Sequence, residues 1–194
     1  MTKLVFPEKI FEFAEAYLHV LDKWNKIHSL TALKIESRFE ALLLDSSALL
    51  PHLESVDRGC LVADFGSGIG IPAVVIAAYR PDIRVVAVDR NHKKIAFVKQ
   101  VGFELKLGNL QVLYGPIESL PSLNADLGTA KAVGAIGLMQ KWWKRHSAPG
   151  APFFAFKGPK LKISEKKDEW SYETFPYQLP NLGKRQLIKF FQND

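Results

Sequence analysis

An α/β fold, a mostly parallel sheet with helices on both faces, is what this chain predicts, and three observations carry the prediction. Apolar runs of strand length alternate with stretches of helical spacing through residues 61–156. The first run, Leu61-Val62-Ala63, ends at Asp64 and passes into three alternate glycines, Gly66, Gly68 and Gly70, before Pro72. The chain then closes on two strand-like segments joined by a turn that holds Pro180, Asn181 and Gly183, which predicts a terminal antiparallel hairpin.

Taken in order, residues 7–25 read as an amphipathic helix. Pro7 suits a first turn, and Ile10, Phe13, Tyr17, Leu21 and Trp24 fall on one stripe. A second helix is expected over 36–50, stopping before Pro51, with 51–59 as a linker. These make residues 1–58 an N-terminal helical extension ahead of a main domain, 59–194. In the main domain the pattern predicts strand 61–65, helix 71–79, strand 83–88, helix 91–106 and strand 110–114. A weaker strand near 126–130, a helix over 134–146 and strand 151–156 follow, and the hairpin pairs 171–177 with 185–191.

Composition narrows the function classes. With 47% hydrophobic residues the chain is of globular type, and no apolar run approaches the roughly 20 residues of a membrane span. The first residues lack the apolar core of a secretion signal. The single cysteine, Cys60, excludes an internal disulfide, and the five histidines have no metal-ligand spacing. A cytoplasmic protein without a bound metal is therefore expected. The net charge of +6 is uneven: residues 1–140 hold 15 Lys/Arg and 15 Asp/Glu, whereas 141–194 hold 11 and 5. Such an excess suits either an anionic partner or a solvated basic face.

The glycine spacing decides between ligand classes. A dinucleotide fingerprint, G-x-G-x-x-G, needs a glycine at 71, which is Ile71 here. Ser67 lies directly between Gly66 and Gly68, so it is not the serine of a hydrolase elbow. A glycine turn before a helix suits a ligand that approaches the backbone, with helix N–H groups free to meet it. Asp89 ends the next strand, 19 residues after Gly70, where a carboxylate can accept from a ribose diol. An acid there also suits the start of helix 91–106. Ile117-Glu118 follows the third strand, where a base would lie across the sheet, although an ordinary turn fits as well. Trp142-Trp143-Lys144-Arg145-His146 mixes aromatics and cations that suit stacking on RNA bases, although one Trp of such a pair is more often core and the other a surface patch. The run from Lys157 to Lys162 leaves a strand at the edge that bears the glycine turn, where cations reach a substrate phosphate.

The D-x-G-x-G-x-G form at Asp64 resembles the first motif of S-adenosylmethionine-dependent methyltransferases. More closely, the chain resembles the GidB family of 16S rRNA (guanine-N7) methyltransferases. The likeness rests on Lys23-Trp24-Asn25 with Leu30-Thr31, Asp45-Ser46, the stretch Asp64 to Pro72, and Asp89 with Lys93-Lys94. It continues through Glu104 to Asn109, Ile117-Glu118 and Phe156-Lys157-Gly158. Two departures stand out: Ala41-Leu42 where the family has Arg-His, and Lys131 where it has arginine. The lysine keeps the charge and loses the bidentate fork.

The resemblance implies a Rossmann-like, class I S-adenosylmethionine-dependent sheet and methyl transfer to a guanine N7 of 16S rRNA, free or in the 30S subunit, by a monomer. It implies that Gly66, Ser67, Gly68 and Gly70 cradle the cofactor, with Asp64 facing its methionine end. Asp89 then holds the ribose and Ile117-Glu118 meets the adenine. Lys131 and Lys157 orient RNA, and no general base is needed, because N7 already carries a lone pair. A noncatalytic RNA-binding module, a different RNA target and a small-molecule methyltransferase are the alternatives.

Overall fold

The computed structural model describes residues 2–161, 166–167 and 169–193, so Lys162 of the basic run lies outside the described residues. A short strand β1 (Thr2–Lys3) and a 3-10 turn (Glu8–Ile10) lead into helix α1 (Phe11–His28). Of the stripe that predicts α1, Ile10, Tyr17 and Leu21 are buried, and Phe13 and Trp24 pack partly buried against the same core. The helix runs three residues beyond the predicted end. It stops at Ser29, which turns left-handed (φ 49°) and donates its N–H to the Asn25 carbonyl. Asn25 also holds the next loop, its side chain accepting from the Thr31 N–H at 2.8 Å and donating to the Thr31 carbonyl at 3.1 Å.

The second helical stretch is irregular. It begins as α2 (Ile35–Arg38), widens to π-helical turns over Phe39–Leu44, and tightens to 3-10 over Ser47–Leu53. Pro51 therefore does not end it, contrary to the expectation from sequence. A 3-10 winding bonds each residue three positions back, not four, and it carries Leu49, Leu50 and Leu53 into the core past the proline. Only the later part of the expected linker 51–59 is turn and coil.

The sheet follows: β2 (Leu61–Phe65), β3 (Arg84–Asp89), β4 (Leu110–Tyr114), β5 (Leu127–Lys131) and β6 (Phe153–Lys157) are mutually parallel. Helices α3 (Ala73–Tyr79), α4 (His92–Glu104) and α5 (Ile136–His146) connect them, with a 3-10 turn at Ile117–Ser119. A two-residue strand β7 (Lys166–Lys167) precedes the hairpin β8 (Trp170–Leu179) and β9 (Gly183–Gln192). The strand order is β1-β8-β9-β6-β5-β2-β3-β4, with β7 on β8. β9 runs antiparallel to both β6 and β8, as the sequence predicts. The chain builds outward from β2 to β4, then returns to β5 on the other side of β2. That reversal leaves a crevice at the carboxyl ends of the strands.

Alternation along the strands separates two cores. Val62, Val85 and Ala87 face Tyr17, Leu43, Val74 and Phe97, so the extension shares one apolar cluster with the sheet. Ala63, Phe65, Val86 and Val88 face Met139 and Trp143 of α5. Gly128 allows the latter packing, because a Cβ there would lie 2.7 Å from Trp143 and 2.2 Å from Phe153. Among the described residues, no helix is long and apolar enough to cross a membrane.

Polar contacts tie the extension to the hairpin. Glu40 Oε1 accepts from the N–H groups of Asn181 and Leu182 at 2.7 and 2.9 Å, and Oε2 accepts from the Asn181 side chain at 2.8 Å. Burial alone would raise the Glu40 carboxyl, but these donors outweigh it and hold the group below its ordinary value. Removing the clamp in Glu40→Ala should cost about 2 kcal/mol, read by urea unfolding at neutral pH. Because the folded value is the lower one, this stabilisation is present above the unfolded value of 4.5 and lost as pH falls through the folded value. A gap between wild type and variant that stays constant on acidification would contradict the assignment.

Candidate functional site

The crevice opens over the glycine turn that follows β2. Gly66 has φ +67°, and a Cβ there would come within 2.7 Å of Val133 Cγ2. Gly70 has φ +84°, and a Cβ would meet Val74 at 2.9 Å and Val98 at 3.1 Å. Both positions therefore need glycine for conformation and for space. The turn is held from three sides. The Ser67 N–H donates to the Val88 carbonyl at 2.9 Å, the Gly68 N–H to Asp89 Oδ2 at 2.8 Å, and the buried Tyr17 hydroxyl to the Ile69 carbonyl at 2.9 Å.

One expectation from sequence is corrected here. The N–H groups at the start of α3 are not free for a ligand. Gly70 and Ile71 donate to the Ser67 carbonyl, Val74 to the Gly70 carbonyl, and Ala73 to Asp64 Oδ2 at 3.2 Å. The turn closes on itself, and what it offers a ligand is bare backbone surface at Gly66 and Gly68, with the buried Ser67 hydroxyl beside them. That hydroxyl has no protein partner among the described residues.

Asp64 lies wholly beneath the turn. Its carboxyl is pushed up to about 8, chiefly by burial and further by the charge of Asp89, while the Ala73 N–H and Lys131 pull it down. Asp64 supports the turn from below and lines none of the cavities described here.

Asp89 ends β3 with both oxygens oriented, Oδ2 by Gly68 and Oδ1 by the Asn91 N–H at 2.7 Å. The helix-capping role that an acid here also suits falls to Asn91, whose side chain accepts from the N–H groups of Lys93 and Lys94. Each Asp89 oxygen keeps a lone pair for a further donor. Asp89 borders a cavity of about 390 Å³ lined by Gly66, Gly115, Ile117, Glu118, Val133 and Trp142. It also borders a second lobe of about 240 Å³, with Thr31, Ser67, Gly68, Lys94 and Lys131. Gly66 and Asp89 line both lobes, so the two lie side by side at the turn.

Ile117 is buried at the floor of the larger lobe, and Glu118 is exposed at its rim. The Ile117 carbonyl is held by buried His146, whose Nε2 lies 3.0 Å away. Burial lowers the His146 pKa, so the ring is neutral at physiological pH and Nε2–H is the donor. Trp143 is the core member of the Trp pair, its indole N–H donating to the Ala151 carbonyl at 2.9 Å. Trp142 lines the cavity, set edge-on to Phe65 with ring centroids 6.4 Å apart. Val133 has no site role in the sequence reading, Lys94 enters it only through the family resemblance, and Trp142 only as a candidate for stacking on RNA. The signal for Trp142 was its i, i+4 spacing from Leu138, which places both on one helix face toward the cavity.

Lys131 and Lys157 stand at the carboxyl ends of β5 and β6. Lys131 Nζ donates to the Ala41 carbonyl at 2.7 Å and pairs with Asp45 Oδ2 at 3.1 Å. The other Asp45 oxygen accepts from the buried Tyr177 hydroxyl at 2.6 Å. Lys157 Nζ donates to the carbonyls of Val133 and Gly134 at 2.9 and 2.6 Å, and burial lowers its pKa. Each ammonium thus spends two of its three N–H groups on the protein. The two departures from the family pattern, Ala41-Leu42 and Lys131, are bonded to each other.

A parallel sheet with an antiparallel last strand, a glycine turn at the reversal and an acid at the next strand end define a class: the Rossmann-like S-adenosylmethionine-dependent methyltransferases. The crystal structure of a SAM dependent methyltransferase from Aquifex aeolicus shares the fold, with a TM-score of 0.60 at 16% identity over 87% of this chain and 97% of that one. The family model of GidB, rRNA small subunit methyltransferase G, matches residues 10–188, and the chain belongs to that family. A ribosomal RNA small subunit methyltransferase G from Methylobacillus flagellatus is 39% identical over 80% of this chain and 75% of its own length. One from Chromobacterium violaceum is 37% identical over 96% of this chain and 90% of its own length.

The elevated Asp64 carboxyl has a measurable consequence in the cofactor-free protein. Its folded value, about 8, lies above the unfolded 3.8, so its contribution to stability is full below pH ~4 and is lost as pH rises through about 8. In Asp64→Asn that slope should vanish. Urea midpoints from about pH 4 to 9 that fall in parallel for both proteins would refute it.

Proposed function

We propose that this methyltransferase transfers a methyl group from S-adenosylmethionine to N7 of a guanine in 16S rRNA, as a cytoplasmic monomer. The observation that carries the reading is the pair of neighbouring lobes that share Gly66 and Asp89 in their linings. The residues present fit the cofactor. Gly66 presents bare backbone to the cavity, Asp89 has lone pairs for two hydroxyls, and Ile117 with Trp142 offers apolar surface for a flat base. Ser67, Gly68 and Lys94 line the lobe that suits the polar methionine end, with the Lys94 ammonium close to Gly68.

When bound, S-adenosylmethionine supplies a sulfonium methyl: the N7 lone pair forms the new N–C bond as the S–C bond breaks, and sulfur keeps its electron pair. The acceptor loses no proton before attack, so the protein's work is alignment. Asp89 fixes one end of the cofactor and the turn fixes the other. Tyr17 keeps the turn from shifting by holding the Ile69 carbonyl. His146 does the same for Ile117. Lys131 and Lys157 act on RNA partly through the loops they brace, and each keeps one N–H for a phosphate. The names of the relatives and the basic C-terminal third support small-subunit rRNA as the substrate.

One observation favours a second reading, a different RNA target. Lys131 is engaged by Ala41 and Asp45, where the family's arginine fork would present more donors to RNA. Product mapping separates the two. Rescue of a deletion strain lacking the gene should restore one N7-methylguanine in 16S rRNA, and Asp89→Ala should not, with cofactor affinity reduced at least about tenfold in calorimetry. Restored methylation at an unrelated RNA, with 16S rRNA unchanged, would favour the second reading. Undiminished affinity in Asp89→Ala would refute the ribose assignment.

A further inference from the structure

The wall of the larger lobe that carries Ile117 is fastened from behind by the end of α5. Residues 115–125, which link β4 to β5, meet that end at three places. The Ile117 carbonyl lies 3.0 Å from His146 Nε2. The Leu120 carbonyl accepts from Arg145 Nε and Nη2 at 3.3 and 3.0 Å. The Ala125 N–H donates to the His146 carbonyl at 2.8 Å, and the Ala125 carbonyl accepts from the Ala148 N–H at 2.9 Å. Of the residues anchored in this way, Ile117 lines the larger lobe, whereas Leu120 and Ala125 do not. His146 is fully buried, and its ring also stands edge-on to Phe65, the residue before Gly66, with centroids 5.4 Å apart. One side chain thus backs two walls of the lobe. Its Nδ1 has no protein partner among the described residues, so the polar work of the ring is the bond to Ile117.

We propose that His146 is the positioning residue that makes the cofactor site selective for adenine, acting through the peptide group between Ile117 and Glu118. The inference rests on the assignment of Ile117-Glu118 to the adenine base and adds how that edge is held in register. A peptide group is planar and trans, so its C=O and N–H point in opposite directions. The Ile117 carbonyl takes two donors, the His146 Nε2–H and the Leu120 N–H at 3.2 Å. Both of its lone pairs are spent on the protein. Pinning the carbonyl toward the ring aims the Glu118 N–H away from His146. Ile117 and Trp142 offer apolar surface to the faces of a base, and purine faces are alike to such a wall. Discrimination therefore falls to the edge of the base. Adenine has a lone pair on N1, which accepts from an N–H, whereas hypoxanthine carries a hydrogen there and sets donor against donor. A site built to pair with a polar group rejects the analogue that leaves it unpaired, and a backbone N–H does so only while its direction is fixed. Arg145 does not substitute for the ring, because its exposed side chain holds Leu120, three positions further on.

Calorimetry of the full chain with S-adenosylhomocysteine and with S-inosylhomocysteine, its 6-oxo analogue, tests the inference. The wild type should prefer the adenine compound at least about tenfold. His146→Phe keeps an aromatic ring and removes the donor. It should weaken S-adenosylhomocysteine binding about tenfold and reduce the preference to about twofold. His146→Gln, which keeps a side-chain N–H, should restore part of both. A merely structural loss lowers the two affinities together and leaves their ratio unchanged, and that result would overturn the inference. If His146→Phe does not fold, nitrogen NMR of the wild type decides. The ring proton should sit on Nε2, and its signal should move with S-adenosylhomocysteine but not with S-ribosylhomocysteine, which lacks the base. A proton on Nδ1, or equal shifts with both compounds, sinks the proposal. Ile117→Ala separates this inference from the reading beneath it. Unchanged S-adenosylhomocysteine affinity in that variant refutes the adenine assignment and the inference with it. Lost affinity there, with none lost in His146→Phe, refutes the role of His146 alone.

Discussion

The hydrogen bond from the Gly68 N–H to Asp89 joins the ends of two neighbouring strands at the point where a ligand must fit. It holds the glycine turn open against β3 and orients a carboxylate that faces both lobes. Everything beneath serves to keep this contact in place. Tyr17 braces the turn from the extension, Asp64 ties it to α3, and Asn91 holds the other oxygen of Asp89 through its backbone. A buried, unpartnered oxygen on Asp64 is the cost of this arrangement, and burial shifts its carboxyl upward so that the neutral form lessens that cost.

The same logic extends outward along buried polar contacts between distant parts of the chain. Asp45 joins the extension to β5 through Lys131 and to β8 through Tyr177. Glu40 does so at the hairpin turn. Arg38, buried, pairs with Asp22 and donates to the Leu33 carbonyl, which shapes the loop that carries Thr31 to the cofactor lobe. Removing one partner of such a contact strands the other in a low-dielectric environment, which is why these contacts specify one arrangement of loops more sharply than apolar packing does.

Much of this was legible in the sequence because it is local. Strand runs, glycine spacing, the missing glycine at Ile71 and the acid after the second strand all act within a few residues of themselves. The positions of Asp89 and Ile117 followed from chain order alone, since parallel strands bring their carboxyl ends together. What was not legible depends on partners far along the chain. No pattern near Lys131 says that its ammonium meets the Ala41 carbonyl, 90 positions away. Nor does the spacing near Glu40 point to Asn181. Pro51 misled because a proline breaks an α-helix, whereas the chain there is wound as a 3-10 helix. The helix N–H groups expected to be free at the start of α3 are spent internally, because the seven-residue helix is closed by its own turn.

The strand order has a bearing on how the protein is made. β1, at residues 2–3, pairs with β8, and the extension is locked by residues 177–182. The glycine turn and its acid, by contrast, are complete by residue 91. During synthesis the glycine turn and Asp89 therefore emerge while the helices ahead of them still lack their last partners. The contacts of Asp45 with Tyr177 and of Glu40 with Asn181 form only after the hairpin emerges. Contacts of such long sequence separation form late and carry most of the loop-closure entropy, so the order of translation becomes an order of assembly in which the extension is the first part of the chain to be made and the last to be locked.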